Sequence, residues 1–169
     1  LNDIEINEAS RPIKSSEANQ AKEKGIEYIE LPIAYDGISV VVNPSNDFVD
    51  YLTVDELKKI WQPNSSVKLW SDVRPSFPAE PIKLYGPGTD SGTFDYFTEN
   101  INGKSGACRP DFTASEDDNT LVHGVTGDKY SLGFFGFSYY VENAKKLKAV
   151  AIKMNETAPA VLPSIETIN

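Results

Sequence analysis

The sequence predicts an α/β fold with a largely parallel sheet flanked by helices, and three observations carry that prediction. Strand-like and helix-like stretches alternate along most of the 169 residues, the pattern that βα units produce. The Val40-Val41-Val42 run is β-branched and continuous, as in a strand buried on both faces. Two strand-like runs lead straight into helix starts made of small or polar residues, "EASRPIK" at 8–14 and "YGPGTDSGT" at 85–93.

In chain order, "NDIEINEAS" (2–10) alternates apolar and polar residues and predicts a strand ending near Ser10. "SSEANQAKEKG" (15–25) predicts a helix with a serine start and Gly25 as its stop. "IEYIELPIAYDGISVVVNPSN" (26–46) holds two strand-like segments, and "NPSND" (43–47) reads as a crossing between lobes. "TVDELKKIW" (53–61) predicts a helix with a capping box, Thr53 with Glu56, and an apolar stripe of Leu57, Ile60 and Trp61. The proline- and serine-rich stretch 62–81 predicts irregular chain. "IKLYG" (82–86) reads as a strand and "SGTFDYFTENI" (91–101) as a helix with Phe94, Phe97 and Ile101 on one face. "SEDDNTLVHGVTG" (115–127) predicts a helix whose acidic first turn favours its dipole. "LGFFGFSYY" (132–140), "VENAKKL" (141–147) and "KAVAIK" (148–153) read as strand, helix and strand.

A composition of 40% hydrophobic and 24% charged residues is that of an ordinary globular chain, one domain or two small lobes. No run approaches the roughly 18 apolar residues of a membrane span. A formal net charge of −9 argues against a nucleic-acid partner, because phosphate backbones reward clustered Lys and Arg. It does not argue against a small buried anion, which feels nearby amides and one or two cations rather than the screened total. The opening "LNDIEINEASRP" reads as the middle of a fold, so the chain is expected to be a mature product or an excised piece.

Three chemistries compete for the stretch around Ser91, and a metal site elsewhere in the sequence is considered beside them. A serine-hydrolase elbow needs G-x-S-x-G, and Thr93 stands where its last glycine belongs; the one histidine, His123, sits in a predicted helix. "TENINGKS" (98–105) ends like a phosphate-binding P-loop, but Thr98 replaces the first glycine and the stretch follows a helix instead of preceding one. Asp111, Asp117 and Asp118 have no calcium-loop spacing, and one His with one Cys makes no zinc set, so no metal and no cofactor is expected. An anion pocket is physically coherent: a helix start offers free N–H groups, Gly92 permits close approach, and Ser91 and Thr93 carry hydroxyl donors. A plain capped helix start explains the same residues. The second junction, with Ser10, Arg11 and Pro12, supplies a serine and a guanidinium that could converge with the first on one tetrahedral oxyanion.

Taken in order, "NEASRPIK" (7–14), "YDGISVVVNPSN" (35–46), "LTVDELKKIW" (52–61), "GPGTDSGTFDYFTE" (86–99) and "LGFFGFSYY" (132–140) resemble the periplasmic phosphate-binding proteins of high-affinity phosphate ABC importers. The resemblance covers nearly the whole chain. It implies a type II periplasmic-binding-protein fold, two α/β lobes closing on a dehydrated phosphate, and capture and delivery to a membrane permease without catalysis. By it, phosphate-binding residues are Ser91, Gly92 and Thr93, with Ser10 from the first junction. Some members place an aspartate after the first serine and an arginine before the serine-glycine-threonine; here Arg11 and Asp90 stand there, as in a branch where the charges have traded sides.

The resemblance further divides the chain into a partial first lobe with crossover strands (1–42), a second phosphate-binding lobe (43–155) and a return segment (156–169). The "GSST"-like loop and first strand that begin family members are absent from this sequence, so a piece lacking the N-terminal part of the first lobe is expected. A periplasmic or extracellular, membrane-associated location follows, as do inorganic phosphate and an ABC permease as partners. Another oxyanion such as sulfate, or a role as a phosphate-lobe interaction or sensor module, is the alternative reading. Uncovered first-lobe surface predicts self-association. Cys108, an odd cysteine in a protein resembling exported binders, is expected to be free in this chain and half of a disulfide in a longer one.

Overall fold

The computed structural model describes residues 6–7, 12–34 and 36–168. The chain divides into two compact units, Leu1–Tyr35 and Asp36–Asn169.

In the first unit, helix α1 spans Ser15–Glu23. Glu17 starts it by accepting a hydrogen bond from the Lys14 N–H at 2.9 Å, which satisfies one of the donors that a helix start leaves unpaired. Gly25 ends it at a φ of +67°, a left-handed turn that costs glycine no Cβ clash. The helix and its stop match the sequence expectation. The strand-like segment at 26–34 does not: it forms no strand and pairs with none among the described residues. Ile29, Leu31 and Ile33 are correspondingly 86, 74 and 90% exposed. Residue type favours an extended chain here, whereas a ladder also needs a neighbour. The strand expected over 2–10 lies mostly outside the described residues, as do Ser10 and Arg11.

The second unit contains β1 (Ile38–Val42), β2 (Tyr51–Thr53), α2 (Val54–Trp61), α3 (Trp70–Val73), β3 (Lys83–Pro87), α4 (Gly92–Asn102) and β4 (Thr113–Ser115). It continues with α5 (Asp118–Thr126), β5 (Ser131–Gly136), α6 (Phe137–Glu142), β6 (Lys148–Ala149), β7 (Ala151–Lys153) and α7 (Ile165–Ile168). A five-stranded sheet has the order β4-β3-β5-β1-β6. β3 is parallel to both β4 and β5, and β1 is antiparallel to both β5 and β6. Only β1 therefore opposes the other strands, and the sheet is largely parallel as the sequence predicted. β2 and β7 form a separate parallel pair.

The capping box is present as expected: Thr53 Oγ1 accepts from the Glu56 N–H at 3.1 Å, and Glu56 Oε2 accepts from the Thr53 N–H at 2.8 Å. Two element boundaries differ from expectation. The strand expected to run to Tyr140 stops at Gly136, because its partner β1 begins at Ile38, opposite Gly136; the helix therefore starts at Phe137 rather than Val141. "KAVAIK" is two strands. Val150, fully buried, donates to the Val40 carbonyl at 2.9 Å, while Ala151 donates to the Asp50 carbonyl at 3.2 Å. The chain thus passes from one sheet to the other within two residues.

Both faces of the large sheet are covered, which is why β1 and β5 read as continuous apolar runs. Val40, Val42, Leu132 and Phe134 face a core containing Leu57, Ile60, Trp61, Phe94 and Phe97 from α2 and α4. Val41 and Phe135 face the opposite core, built by Leu121, Val122 and Val125 of α5 with Leu147. Aromatic packing fixes α4: Phe97 stacks on Phe134 with ring centroids 3.7 Å apart, and Trp61 meets Phe134 edge-on at 5.0 Å. Truncating such a ring to alanine costs about 3–5 kcal/mol, so the start of α4 rests on a firm base.

Candidate functional site

Strand β3 delivers "YGPG" to the carboxyl edge of its parallel neighbours, where open α/β sheets place ligands. The Ser91 N–H donates to the Gly88 carbonyl at 3.1 Å, closing a turn that feeds α4. Ser91 is the N-cap: its φ of −78° and ψ of 131° are extended, and its Oγ accepts from the Thr93 N–H at 3.2 Å. That bond occupies a lone pair of the hydroxyl and leaves its proton available to an acceptor. Among the described residues, neither the Gly92 N–H nor the Thr93 hydroxyl has a hydrogen-bond partner. Ser91, Gly92 and Thr93 are all half-buried. They form a neutral cluster of donors at the positive end of an 11-residue helix, the arrangement that attracts an anion.

Asp90 precedes the cap, is exposed, and makes no hydrogen bond or ion pair among the described residues. It is not the helix cap; Ser91 fills that role. The structure thus brings Asp90, Ser91, Gly92 and Thr93 together at one turn. Ser10 and Arg11, the remaining expected site residues, lie outside the described residues.

The glycines of this stretch have separate uses. A Cβ on Gly86 would stand 2.8 Å from Phe134 Cε1, so Gly86 is a packing residue. A Cβ on Gly88 would overlap Glu116 Oε1 and stand 2.6 Å from its carboxyl carbon. Residue pattern alone places Glu116 within the first turn of a helix. In the structure α5 begins at Asp118 with Asp117 as its cap, so Glu116 belongs to the connection from β4 and lies against the turn that feeds α4. The available signal was the second glycine of "GPG", which has no positive φ to explain it.

Burial, followed by the neighbouring charges of Asp117 and Glu116, raises the pKa of Asp118 above its ordinary value. No group of acidic, histidine or cysteine side chains suited to a metal ion occurs among the described residues. Asp111 is held well below the usual carboxylate range by hydrogen bonds from Arg109 and then Lys68, and Arg109 also braces the Ile60 and Val67 carbonyls at 3.0 and 2.9 Å. Cys108 is a free, half-buried thiol whose pKa burial pushes up to about 11. His123 is exposed in the last turn of α5.

Comparison with known proteins places this architecture in a class. The family described as the PBP superfamily domain matches residues 2–169, and the chain belongs to that family. Among curated proteins it is 53% identical over 166 residues to Protein SphX of Synechocystis sp., an alignment that covers 97% of this chain and 49% of SphX. It is 39% identical over 164 residues to the Phosphate-binding protein PstS of Staphylococcus saprophyticus, covering 97% of this chain and 50% of that protein. Among solved structures, that of a possible phosphate binding protein from Planctomyces limnophilus superposes with a TM-score of 0.79 at 53% identity, over 94% of this chain and 56% of that one. The chain spans about half the length of the curated relatives it matches.

Proposed function

We propose that this chain captures inorganic phosphate for delivery to the permease of an ABC importer, in an exported, periplasmic or extracellular and membrane-associated protein. The observation that carries the reading is the open start of α4: a serine cap with its proton available, and a Gly92 N–H and a Thr93 hydroxyl that have no hydrogen-bond partner among the described residues. The similarity to PstS of Staphylococcus saprophyticus, a phosphate-binding protein by name, supports the same ligand. Ser91, Gly92 and Thr93 are the neutral donors, joined by Ser10. Arg11 supplies the cation, and Asp90 accepts the proton that phosphate retains at neutral pH. Sulfate brings no such proton, so an acceptor carboxylate favours phosphate by hydrogen-bond matching. Residues 1–42 are a partial first lobe with the crossover strands, 43–155 the phosphate-binding lobe and 156–169 the return toward the first. The exposed apolar side chains at 29–33 make the chain self-associate at high concentration. The reading assigns no catalytic step and no cofactor.

Thermal unfolding with and without phosphate tests it. A ligand at 100 times its dissociation constant stabilises by about 2.7 kcal/mol, and phosphate should raise the midpoint more than sulfate does. Arg11→Ala should weaken phosphate binding by about 2 kcal/mol or more, and Asp90→Asn should narrow the preference over sulfate. No shift and no calorimetric heat with phosphate would sink the reading; parent-like binding by both variants would sink the assignment of those two residues.

A further inference from the structure

The sequence contains a single Asn-Gly pair, Asn102-Gly103, and α4 ends on it. Asparagine is a chemically labile residue, most of all before glycine, whose unhindered backbone nitrogen can attack the side-chain carbonyl carbon. The fold nevertheless calls for both residues. Gly103 stops the helix at a φ of +82°, in the left-handed region where a side chain is strained. A Cβ there would meet nothing within 4 Å, so conformation and not crowding requires the glycine. Asn102 pins two other segments to the helix end: its Nδ2 donates to the Ala107 carbonyl at 2.6 Å and to the Trp61 carbonyl at 3.3 Å.

Each group that would react is held. The Gly103 N–H donates to the Glu99 carbonyl at 3.0 Å, so its nitrogen must leave the helix before it can lose its proton and attack. The Asn102 amide cannot turn toward that nitrogen without giving up both Nδ2 bonds. Asn102 Oδ1 is buried and has no hydrogen-bond partner among the described residues, so nothing there would stabilise the negative charge that grows on it during attack. The following loop is tied down as well. The Gly106 N–H donates to Oγ1 of the fully buried Thr98 at 2.8 Å, and the Ser105 hydroxyl donates to Asp95 Oδ1.

We propose that Asn102 is a latent modification site: the closed end of α4 keeps it an amide, and opening of that end converts it irreversibly to aspartate or isoaspartate. In the step, the Gly103 nitrogen gives its proton to solvent and bonds to Asn102 Cγ. The Cγ–Nδ2 bond breaks, and Nδ2 leaves as ammonia with a proton from water. Water then opens the five-membered ring at either carbonyl. The product does not close again as the parent does. A carboxylate in place of Nδ2 donates nothing to the Ala107 and Trp61 carbonyls and sets a negative charge against two acceptors, a buried mismatch that costs stability. Isoaspartate adds a backbone atom to the last turn besides. This holds whether or not the other end of α4 captures an anion.

Peptide mass spectrometry of the parent, aged at mildly alkaline pH both folded and in unfolding urea, tests the protection. Conversion at Asn102 should run about tenfold or more slower in the folded chain, because it waits on local opening. Folded and unfolded rates within about twofold of each other would mean that the fold shields nothing, and would overturn the proposal. Asn102→Asp supplies the product directly and tests the irreversibility. It should unfold at a lower urea concentration than the parent at neutral pH. The gap should narrow in acid, since two facing carbonyls favour the protonated carboxyl, which regains a donor. A variant as stable as the parent at neutral pH would show that the closed end accepts the product, and would overturn that half. If Asn102→Asp does not fold at all, the two rates measured on the parent still decide the matter.

Discussion

Helices α4 and α5 begin at the same edge of the same sheet, each directly after one of two adjacent parallel strands, yet their N-termini are in opposite states. α5 is closed by its own protein: Asp117 caps it with a carboxylate that accepts the Asn119 N–H and the Thr120 hydroxyl. α4 is capped by a neutral serine, and its Gly92 N–H and Thr93 hydroxyl have no partner among the described residues. A helix start is an anion site by construction. Whether it is free for a ligand depends on whether a side-chain carboxylate already sits there. α2 is closed more tightly still, by the reciprocal Thr53–Glu56 box with Arg74 paired to Glu56 in turn. The lesson is that capping statistics alone cannot separate a binding helix from a structural one; the charge of the cap can.

The largest effect should come from opening a closed terminus. Burial works to raise the pKa of Glu56, but the Arg74 hydrogen bond and the Thr53 N–H outweigh it together and hold it below its ordinary value. Its contribution to stability is therefore complete above the unfolded glutamate value of 4.5 and is lost as pH falls through the lower, folded value. Glu56→Gln should destabilise by about 3 kcal/mol at pH 7, because Arg74 is left without its counter-charge. The penalty should shrink in acid, which urea titrations at pH 7 and at low pH would reveal; an equal loss at both would mean the ion pair contributes nothing.

Closing the open terminus comes next. Ser91→Asp gives α4 the same kind of cap as α5, so the chain should fold at least as stably but bind phosphate about a hundredfold more weakly, about 2.7 kcal/mol. Parental affinity in that variant, measured by calorimetry, would show that α4's start is not where the anion goes. The smallest change is at α5: Asp117→Ala should cost about 1 kcal/mol of stability and leave phosphate affinity within twofold. A large affinity loss there would mean that the two termini act as one site.

Much of this contrast is legible in the residues alone. The Thr53–Glu56 box, the Gly25 stop, the aromatic stripe of α4 and the burial of Val40–Val42 depend on residues a few positions apart, and local spacing reports them faithfully. Ser91, Gly92 and Thr93 stand out for the same reason. β2, β4 and α3 escape sequence reasoning because three or four residues are too few to display a period. The division of "KAVAIK" into two strands is equally hidden, because its residue pattern is uniform while its partners change at Val150.

What the sequence determined by itself is the set of local conformations and donors: an α/β alternation, a helix start rich in hydroxyls and glycine, and an acidic run after β4. These are matters of backbone preference and nearest-neighbour hydrogen bonding, and they are written within a few residues of where they act. Only the tertiary structure decided that Asp90 does not cap α4, that Gly86 packs against Phe134 while Gly88 lies beside Glu116, and that residues 26–34 form no ladder among the described residues. Each of those depends on which atoms from distant positions arrive at the same place. Sheet register brings Gly88 and Glu116 together across 28 positions of chain, and no local pattern encodes a distance of that kind.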